Sequence, residues 1–259
     1  MKTSKPPVVL CFSGLDPTGG AGIQADIESI AKHGCHAAPI ITATTIQDTK
    51  NVIRFQPIDA SIILEQARTV LSDMQVHAIK IGMLGTVETA EAIYTLLKQY
   101  NNIPVIFDPV LVAGGGTSLA KKNLIDAINT FIIPNTFIVT PNIPEALLLS
   151  GTKKAPEDAA KKINEMSAEY VLLTGTHANS ADVIHKLYQQ SKTQASFKYQ
   201  RLPHEYHGSG CTLAASLAAF IALELNPVKA CQQALDFTYQ SLQNANVLGR
   251  GQLIPNRNQ

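Results

Sequence analysis

Residues 8–26 read VVLCFSGLDPTGGAGIQAD, an apolar run followed by a glycine-rich loop and the start of a second apolar pattern. The run at residues 8–13 is almost continuously apolar rather than alternating, which is typical of a parallel strand covered on both faces. The glycines that follow allow a sharp change of chain direction. This stretch therefore predicts a strand, a loop and a helix, the first unit of a parallel α/β sheet.

The same unit recurs along the chain. Further apolar runs stand at residues 37–46, 78–81, 105–107, 137–140 and 170–173. Segments with helical spacing separate them, and we predict helix starts at Asp59, Thr86 and Pro156. Two later segments, residues 182–188 and 196–202, read as strands with no helix between them, which indicates an antiparallel edge of the sheet.

Right-handed connections between such units place helices on both faces of the sheet. We therefore predict one α/β domain over residues 1–259, with an open, mostly parallel sheet, helices on both faces and an antiparallel edge. A closed eight-fold barrel is the competing architecture, and the helix-free pair of runs argues against it.

Composition limits the class of partner. Hydrophobic residues make up 45% of the 259 residues and charged residues 16%, as in a chain with a substantial core. The net charge of +1 provides no basic field for nucleic acid. The chain contains no run of about 20 apolar residues, so we predict no membrane span. Four cysteines without C-x-x-C spacing argue against a zinc site or a disulfide framework. We expect a cytoplasmic protein with a small-molecule ligand.

A second glycine-rich stretch, His207 to Cys211, runs directly into the apolar segment 212–219. The first-turn N–H groups of a helix are unpaired and partly positive, so such a turn can bind a phosphate. Cys211 lies in this field, which favours its thiolate, and we expect it to act as a base or nucleophile. The alternative is a tight turn into a buried helix, with Cys211 as a small hydrophobic residue.

Ligands of open α/β sheets bind at the carboxyl ends of the strands, so the other loops there are candidates. Residues 20–25 match the G-x-G-x-x-A pattern of nicotinamide enzymes, although residues 15–18 separate these glycines from the strand. Asp108 follows the run at 105–107, where it could contact a metal or a phosphate-bound water, or serve as a turn aspartate. His204 and His207 form only a weak metal pair, because no third ligand stands at a zinc spacing.

Asn142 and Glu145 have the spacing of a helix capping box. The same spacing brings two oxygen-bearing side chains to one side of a helix start, where Mg²⁺ could be held through water. On their own, these two residues favour the cap.

Five motifs in order resemble the hydroxymethylpyrimidine/phosphomethylpyrimidine kinases of thiamine biosynthesis, members of the ribokinase-like superfamily. They stand at residues 14–26, 80–84, 108–110, 140–145 and 207–212. The resemblance extends nearly from end to end and implies a ribokinase-like three-layer fold. It also implies a homodimeric kinase that uses ATP and Mg²⁺ to phosphorylate 4-amino-5-hydroxymethyl-2-methylpyrimidine and then its monophosphate.

The resemblance implies roles for individual residues. Gly208, Ser209 and Gly210 would form the anion hole for the transferring phosphoryl group, and Cys211 would take the proton of the hydroxymethyl group. The pyrimidine would be bound by Gln47, Gly14, Ala21, Asp26, Met83 and Val110. The nucleotide would contact Asn142, Thr174, Thr176 and Thr212. Mg²⁺ would be held, mainly through water, by Asp108, Asn142 and Glu145.

Two segments depart from the family's pattern. Thr174-Gly175-Thr176-His177 stands where the family commonly has Lys-Gly-Gly-His, and Gly114-Gly115-Gly116 stands where a serine-glycine pair is common. Both departures remove polar groups from the nucleotide side. Three alternatives stay open: a pyridoxal kinase of the same superfamily, a nicotinamide-dependent oxidoreductase and a non-catalytic pyrimidine-binding protein.

Overall fold

The computed structural model describes residues 5–112, 115–116, 119–176, 178 and 180–258. Within these residues the strands form one sheet. They are β1 (Val8–Leu15), β2 (His36–Gln47), β3 (Val52–Pro57), β4 (Val76–Ile81), β5 (Val105–Phe107), β6 (Ile138–Val139), β7 (Tyr170–Leu173), β8 (Asp182–Gln189) and β9 (Lys192–Gln200). Their order is β3-β2-β1-β4-β5-β6-β7-β8-β9.

Helices connect these strands. They are α1 (Gly22–Lys32), α2 (Ala60–Asp73), α3 (Val87–Gln99), α4 (Lys122–Ala127), α5 (Ile143–Ser150), α6 (Pro156–Glu165), α7 (Ser209–Ala222) and α8 (Pro227–Gln243), with a π-helical turn at Ile128–Ile132 and a 3₁₀ turn at Ile133–Asn135. The predicted helix starts are confirmed. The side chains of Asp59 and Thr86 cap α2 and α3, and Pro156 opens α6.

Two hydrophobic cores lie on opposite faces of the sheet. Helices α1, α7 and α8 pack together on one face, and α2 to α6 cover the other. Helix α7 is buried almost all round because α1, α8 and the sheet surround it, which explains its nearly unbroken apolar sequence. This arrangement confirms the three-layer fold.

The sheet is antiparallel at both edges rather than at one. The β7-β8-β9 edge was expected, but β9 begins and ends earlier than the strand predicted at 196–202. The β2-β3 pair at the other edge was not expected, because Val52 is the one buried residue of β3. An edge strand needs no apolar face to pair, so its sequence carries a weak signal.

All four cysteines are free in the structure. Across the described ranges, none of the helices has the length and apolar character to cross a membrane.

Candidate active site

A cleft of about 700 Å³ opens at the carboxyl ends of the parallel strands. The end of β2 and the loops that follow β1, β4, β5, β6 and β7 line it, together with the first turn of α7. This is the edge at which open α/β sheets bind ligands. Fourteen predicted site residues line it: Gly14, Ala21, Gln47, Met83, Asp108, Val110, Asn142, Glu145, Thr174, Thr176, Gly208, Ser209, Gly210 and Cys211.

Two glycine turns meet where α7 begins. Gly208 caps the helix in the left-handed conformation, with φ 83°, and a Cβ atom there would collide with the carbonyl oxygen of Gly20. Glycine is therefore required at this contact. Ser209 and Gly210 present the first turn of α7, with its unpaired N–H groups, to the cleft. The result is a site suited to an anion.

Cys211 lies beside this anion site, and its thiol is protonated at neutral pH. The sulfur accepts a hydrogen bond from the backbone N–H of Gly22. Burial raises the pKa of the thiol to about 12, with Asp108 adding to the effect and Lys80 opposing it. The expectation that the helix field favours the thiolate is therefore wrong, because a helix end contributes only about 1 kcal/mol and desolvation outweighs it.

A fully buried ion pair lies beneath the cleft. Nζ of Lys80 is 2.9 Å from Oδ1 of Asp26 and 2.9 Å from Oγ of Ser13. Burial opposes the charge of Lys80, but Asp26, Cys211 and Asp108 together raise its pKa. The cation is therefore retained next to the reactive part of the cleft.

The place of Asp26 corrects its predicted role. Its side chain is completely buried and does not line the cleft, so it cannot contact the substrate as the substrate-binding prediction required. Its carboxylate is used instead to neutralise Lys80.

Asp108 and Glu145 are two buried carboxyl groups in the same part of the cleft. Burial raises the pKa of Asp108 to about 6, although Lys80 lowers it. Burial and the charge of Asp108 raise the pKa of Glu145 to about 8. Oδ2 of Asp108 is buried without a hydrogen-bond partner. A divalent cation would both neutralise this pair and provide the missing partner.

The pair suits Mg²⁺ better than a metal held entirely by side chains. Within the described residues, no three His, Cys, Asp or Glu side chains form a metal-binding group. Mg²⁺ commonly binds one or two carboxylates and completes its shell with water and substrate phosphates. Two carboxyl groups beside an anion site match that requirement.

Asn142 and Glu145 form the predicted capping box of α5. The backbone N–H of Glu145 donates to Oδ1 of Asn142, and the N–H of Asn142 donates to Oε2 of Glu145, each at 2.9 Å. The cap fixes the Glu145 side chain at the cleft. The capping and ligand-facing interpretations of these residues are therefore compatible.

A polar cluster of Asp16, His207 and Gln47 connects the first glycine loop with the start of α7. Nε2 of His207 lies 2.7 Å from Oδ2 of Asp16 and 3.2 Å from the amide nitrogen of Gln47. Burial alone would raise the pKa of Asp16, but hydrogen bonds from His207 and Thr18 lower it to about 2. Sequence reasoning missed Asp16, although an aspartate that starts a D-P-T-G turn often accepts a nearby N–H.

One end of the cleft has apolar walls around this cluster. Met83 belongs to a small buried group, and Val110 packs against it. A planar ring could lie between such walls while the Gln47 amide bonds to its edge. The remaining members of the buried group are Ala43, Val52 and Leu119.

The other end extends past Thr174 and Thr176 towards β8, β9 and α8. Arg201 supports the loop after β7 by donating to the carbonyls of Thr176, Ala178 and Ser180. His177 and Gly114, which belong to the two departing segments, lie outside the described residues. Sequence reasoning missed five residues here, because they follow no motif: Val183, His185, Tyr199, Leu235 and Tyr239.

Thr212 was predicted to contact the nucleotide, and the structure corrects this. The residue is completely buried and does not line the cleft. Its hydroxyl donates to the carbonyl of Gly208 at 2.8 Å and accepts a hydrogen bond from Arg257 at 2.9 Å. It supports the glycine turn from behind.

The chain is similar to known proteins over most of its length. The profile of the phosphomethylpyrimidine kinase family matches residues 16–256. The chain is 32% identical over 253 residues to a hydroxymethylpyrimidine/phosphomethylpyrimidine kinase of Staphylococcus aureus, covering 95% of this chain and 92% of the relative.

Two solved structures are similar over most of their length. A Bacillus subtilis pyridoxal kinase, solved as an ADP complex, is 27% identical with a TM-score of 0.89 over 98% of both chains. A phosphomethylpyrimidine kinase of Clostridium difficile is 29% identical with a TM-score of 0.78, over 91% of this chain and 98% of that one.

Proposed function

The chain belongs to the phosphomethylpyrimidine kinase family, and from this premise we propose that it phosphorylates 4-amino-5-hydroxymethyl-2-methylpyrimidine and then the resulting monophosphate, using ATP. One observation carries the proposal. A single cleft contains a glycine-lined anion site, two carboxyl groups and an apolar end with one amide. These are the parts that positioning and charge neutralisation in phosphoryl transfer require.

Family membership contradicts two alternatives. A phosphotransferase is neither a nicotinamide-dependent oxidoreductase nor a non-catalytic binding protein. The G-x-G-x-x-A match has another structural explanation, since Gly20 packs against Gly208 and Asp16 to Thr18 form a turn between β1 and these glycines. These glycines allow the loop after β1 to pack closely against the turn before α7.

The anion site would receive the γ-phosphoryl group. The N–H groups at the start of α7 would bind its oxygens while the hydroxymethyl oxygen forms the new bond to phosphorus and the bond to the β-phosphate oxygen breaks. Gln47 would orient the pyrimidine edge, and Met83 and Val110 would cover the ring. Thr174, Thr176 and Asn142 would lie along the nucleotide.

Proton transfer would involve Cys211 and Asp108 together. A protonated thiol cannot accept the hydroxyl proton unless it releases its own, and the Cys211 thiol donates a hydrogen bond to the Asp108 carboxylate. As the substrate proton passes to the sulfur, the thiol proton passes to Asp108. Transfer late in the reaction suits a loose transition state, in which the attacking oxygen forms little bond early.

Mg²⁺, which the family implies, would neutralise phosphate charge when bound. Asp108 and Glu145 would hold it, largely through water, and Asn142 would keep Glu145 in position through the capping box.

A homodimer and a cytoplasmic location complete the proposal. Apolar side chains are exposed near the β2-β3 edge, where Ile53 is 72% exposed and Leu248 70%, and the segment after Leu248 contacts Thr49 of the β2-β3 turn. Such a patch is typical of an interaction surface.

Four free cysteines suit a reducing compartment such as the cytoplasm. Fractionation of cells that express a tagged chain tests that location.

Sedimentation velocity tests the dimer. We expect a dimer for the wild-type chain and a monomer for Ile53→Glu, because a buried charge at the edge opposes association. A wild-type chain that sediments as a monomer at micromolar concentration contradicts the proposal.

Pyridoxal phosphorylation is the second candidate function. The similarity in fold to the Bacillus subtilis pyridoxal kinase favours it, since both substrates present a hydroxymethyl group on a six-membered nitrogen ring. ADP release, measured separately with the pyrimidine alcohol, its monophosphate and pyridoxal, tests both. We expect turnover with the first two. Turnover with pyridoxal alone would establish the second candidate instead.

A further inference from the structure

Arg257 is the largest side chain that the described residues bury completely, with 1% of its surface exposed. It lies in the C-terminal segment that runs beside the cleft. In this segment Leu253 forms a bridge to Tyr206, and its carbonyl accepts the N–H of His207 at 2.9 Å. The chain thereby returns to the turn that precedes α7.

The guanidinium of Arg257 forms hydrogen bonds with two separate segments, the first glycine loop and the start of α7. Nε donates to Oγ1 of Thr212 at 2.9 Å, in the first turn of α7. Nη1 donates to the carbonyl of Gly19 at 3.4 Å and to the Glu28 carboxylate at 3.0 Å, and Nη2 donates to the carbonyl of Gly20. The glycine loop and the start of α7 are therefore joined through one side chain.

One of these acceptors, Thr212, controls backbone direction at the anion site. Thr212 links Arg257 to the turn before α7, because its hydroxyl accepts a hydrogen bond from Arg257 and donates one to the carbonyl of Gly208. In a trans peptide the C=O and the following N–H point in opposite directions. Fixing the Gly208 carbonyl therefore fixes the N–H of Ser209, which belongs to the turn that lines the cleft.

We propose that Arg257 is a positioning residue for phosphoryl transfer: through Thr212 it sets the direction of the Ser209 N–H at the anion site, and through Gly20 it holds the first glycine loop packed against Gly208. The proposal rests on the proposed kinase function. Arg257 does not itself line the cleft, so it acts through the backbone rather than on the substrate. A lysine cannot replace it fully, since a single ammonium lacks the planar fork that reaches both segments.

Steady-state kinetics of Arg257→Gln and Arg257→Lys test the proposal. We expect kcat to fall about 100-fold in the glutamine variant, the effect of a misplaced reacting group, and less in the lysine variant. KM for ATP should stay within about threefold, because the residue acts on the transition state. Arg250→Gln is the matched control, an exposed arginine of the same segment. A folded glutamine variant with kcat near wild type overturns the proposal.

Two substitutions at Thr212 provide the same test if Arg257→Gln does not fold. Thr212→Val removes the hydroxyl that joins Arg257 to Gly208 and should lower kcat, whereas Thr212→Ser retains it and should restore most activity. Equal kcat values for the two variants overturn the proposal.

Binding of ADP with aluminium fluoride separates this proposal from the kinase function. The complex should bind the wild-type chain more tightly than ADP alone, and Arg257→Gln should lose that difference while binding ADP normally. An unchanged difference in the variant overturns the role of Arg257. Failure of the proposed function would appear elsewhere, as absence of pyrimidine turnover in the wild-type chain.

Discussion

At the scale of single residues, burial rather than the helix field determines the chemistry of Cys211. The thiol stays protonated because its pKa is raised to about 12, and Asp108 is the carboxylate that interacts with it. In the proposed relay, the two phosphorylation steps would therefore make different demands on Cys211. An alcohol must lose a proton, whereas a phosphate monoester has a second pKa of about 6 and is already largely ionised at neutral pH.

Cys211→Ala should lower the first phosphorylation more than the second. We expect kcat to fall by about 100-fold with the alcohol, the low end for general acid-base catalysis, and by a much smaller factor with the monophosphate. Separate assays with the two substrates measure this. Cys35→Ala, a buried cysteine of the core, serves as the control and should leave the ratio of the two rates unchanged. Equal losses in both steps remove Cys211 from proton transfer.

The rate of the first step should rise with pH as Asp108 ionises. Its pKa is raised to about 6, and the proposed relay requires the carboxylate, so activity is lost as pH falls through that value. Asp108→Asn should lower kcat and remove this limb of the pH profile. A wild-type rate independent of pH on the acid side contradicts the relay.

At the scale of elements, the capping box of α5 places a carboxyl group where it resists ionisation. The pKa of Glu145 is raised from 4.5 to about 8. Its contribution to stability is therefore complete below the unfolded pKa and is lost as pH rises through the folded value. Glutamine can form the same capping box without ionising.

Glu145→Gln should stabilise the metal-free protein at high pH. Above pH 8 we expect a gain of a few kcal/mol in the free energy of unfolding, about 1.4 kcal/mol for each unit by which the pKa is raised, and the gain vanishes near the unfolded pKa. Thermal unfolding in EDTA at several pH values measures it. Added Mg²⁺ should stabilise the wild-type chain and not the variant. A variant that is less stable than wild type at high pH contradicts the assigned protonation state.

The elements themselves were largely predictable from sequence. Apolar runs identified the parallel strands because both faces of those strands are buried, and side-chain caps at Asp59, Thr86 and Asn142 marked helix starts. The β3 edge strand was missed because it needs little apolar surface. The start of α7 was recognised, but the pKa of Cys211 was not, since desolvation depends on neighbours distant in sequence.

At the scale of the whole molecule, the Lys80 and Asp26 pair joins β4 to α1 beneath the cleft. Asp26→Asn alone leaves a buried cation uncompensated, which should cost about 3–5 kcal/mol of stability. Replacing both residues, as in Lys80→Met with Asp26→Leu, should restore most of that loss. Chemical denaturation measures both.

The double variant also separates stability from catalysis. Loss of the nearby cation removes a charge that favours ionisation of Cys211 and Asp108, so kcat should stay at least about tenfold below wild type despite recovered stability. Wild-type kcat in the stable double variant contradicts a functional role for Lys80.

Long-range contacts explain what sequence could not predict about the site. Arg257 bonds to Gly19 across 238 positions, and His207 meets Asp16 across 191, with no local pattern to mark either partner. Asp26 and Thr212 belong to recognisable motifs, yet their burial, which follows from packing of α1 and α7, keeps them from the ligand. Motifs located the cleft, and tertiary packing decided which members line it.

Following the phosphorus-containing products over time by ³¹P NMR tests the pyrimidine kinase activity directly. The purified chain receives ATP, Mg²⁺ and 4-amino-5-hydroxymethyl-2-methylpyrimidine, with pyridoxal in a parallel reaction. We predict that the pyrimidine monophosphate rises and then falls as the diphosphate accumulates, with kcat/KM for the pyrimidine exceeding that for pyridoxal by about tenfold or more. Pyridoxal phosphate formed in the absence of any pyrimidine product would contradict the proposed pyrimidine kinase activity.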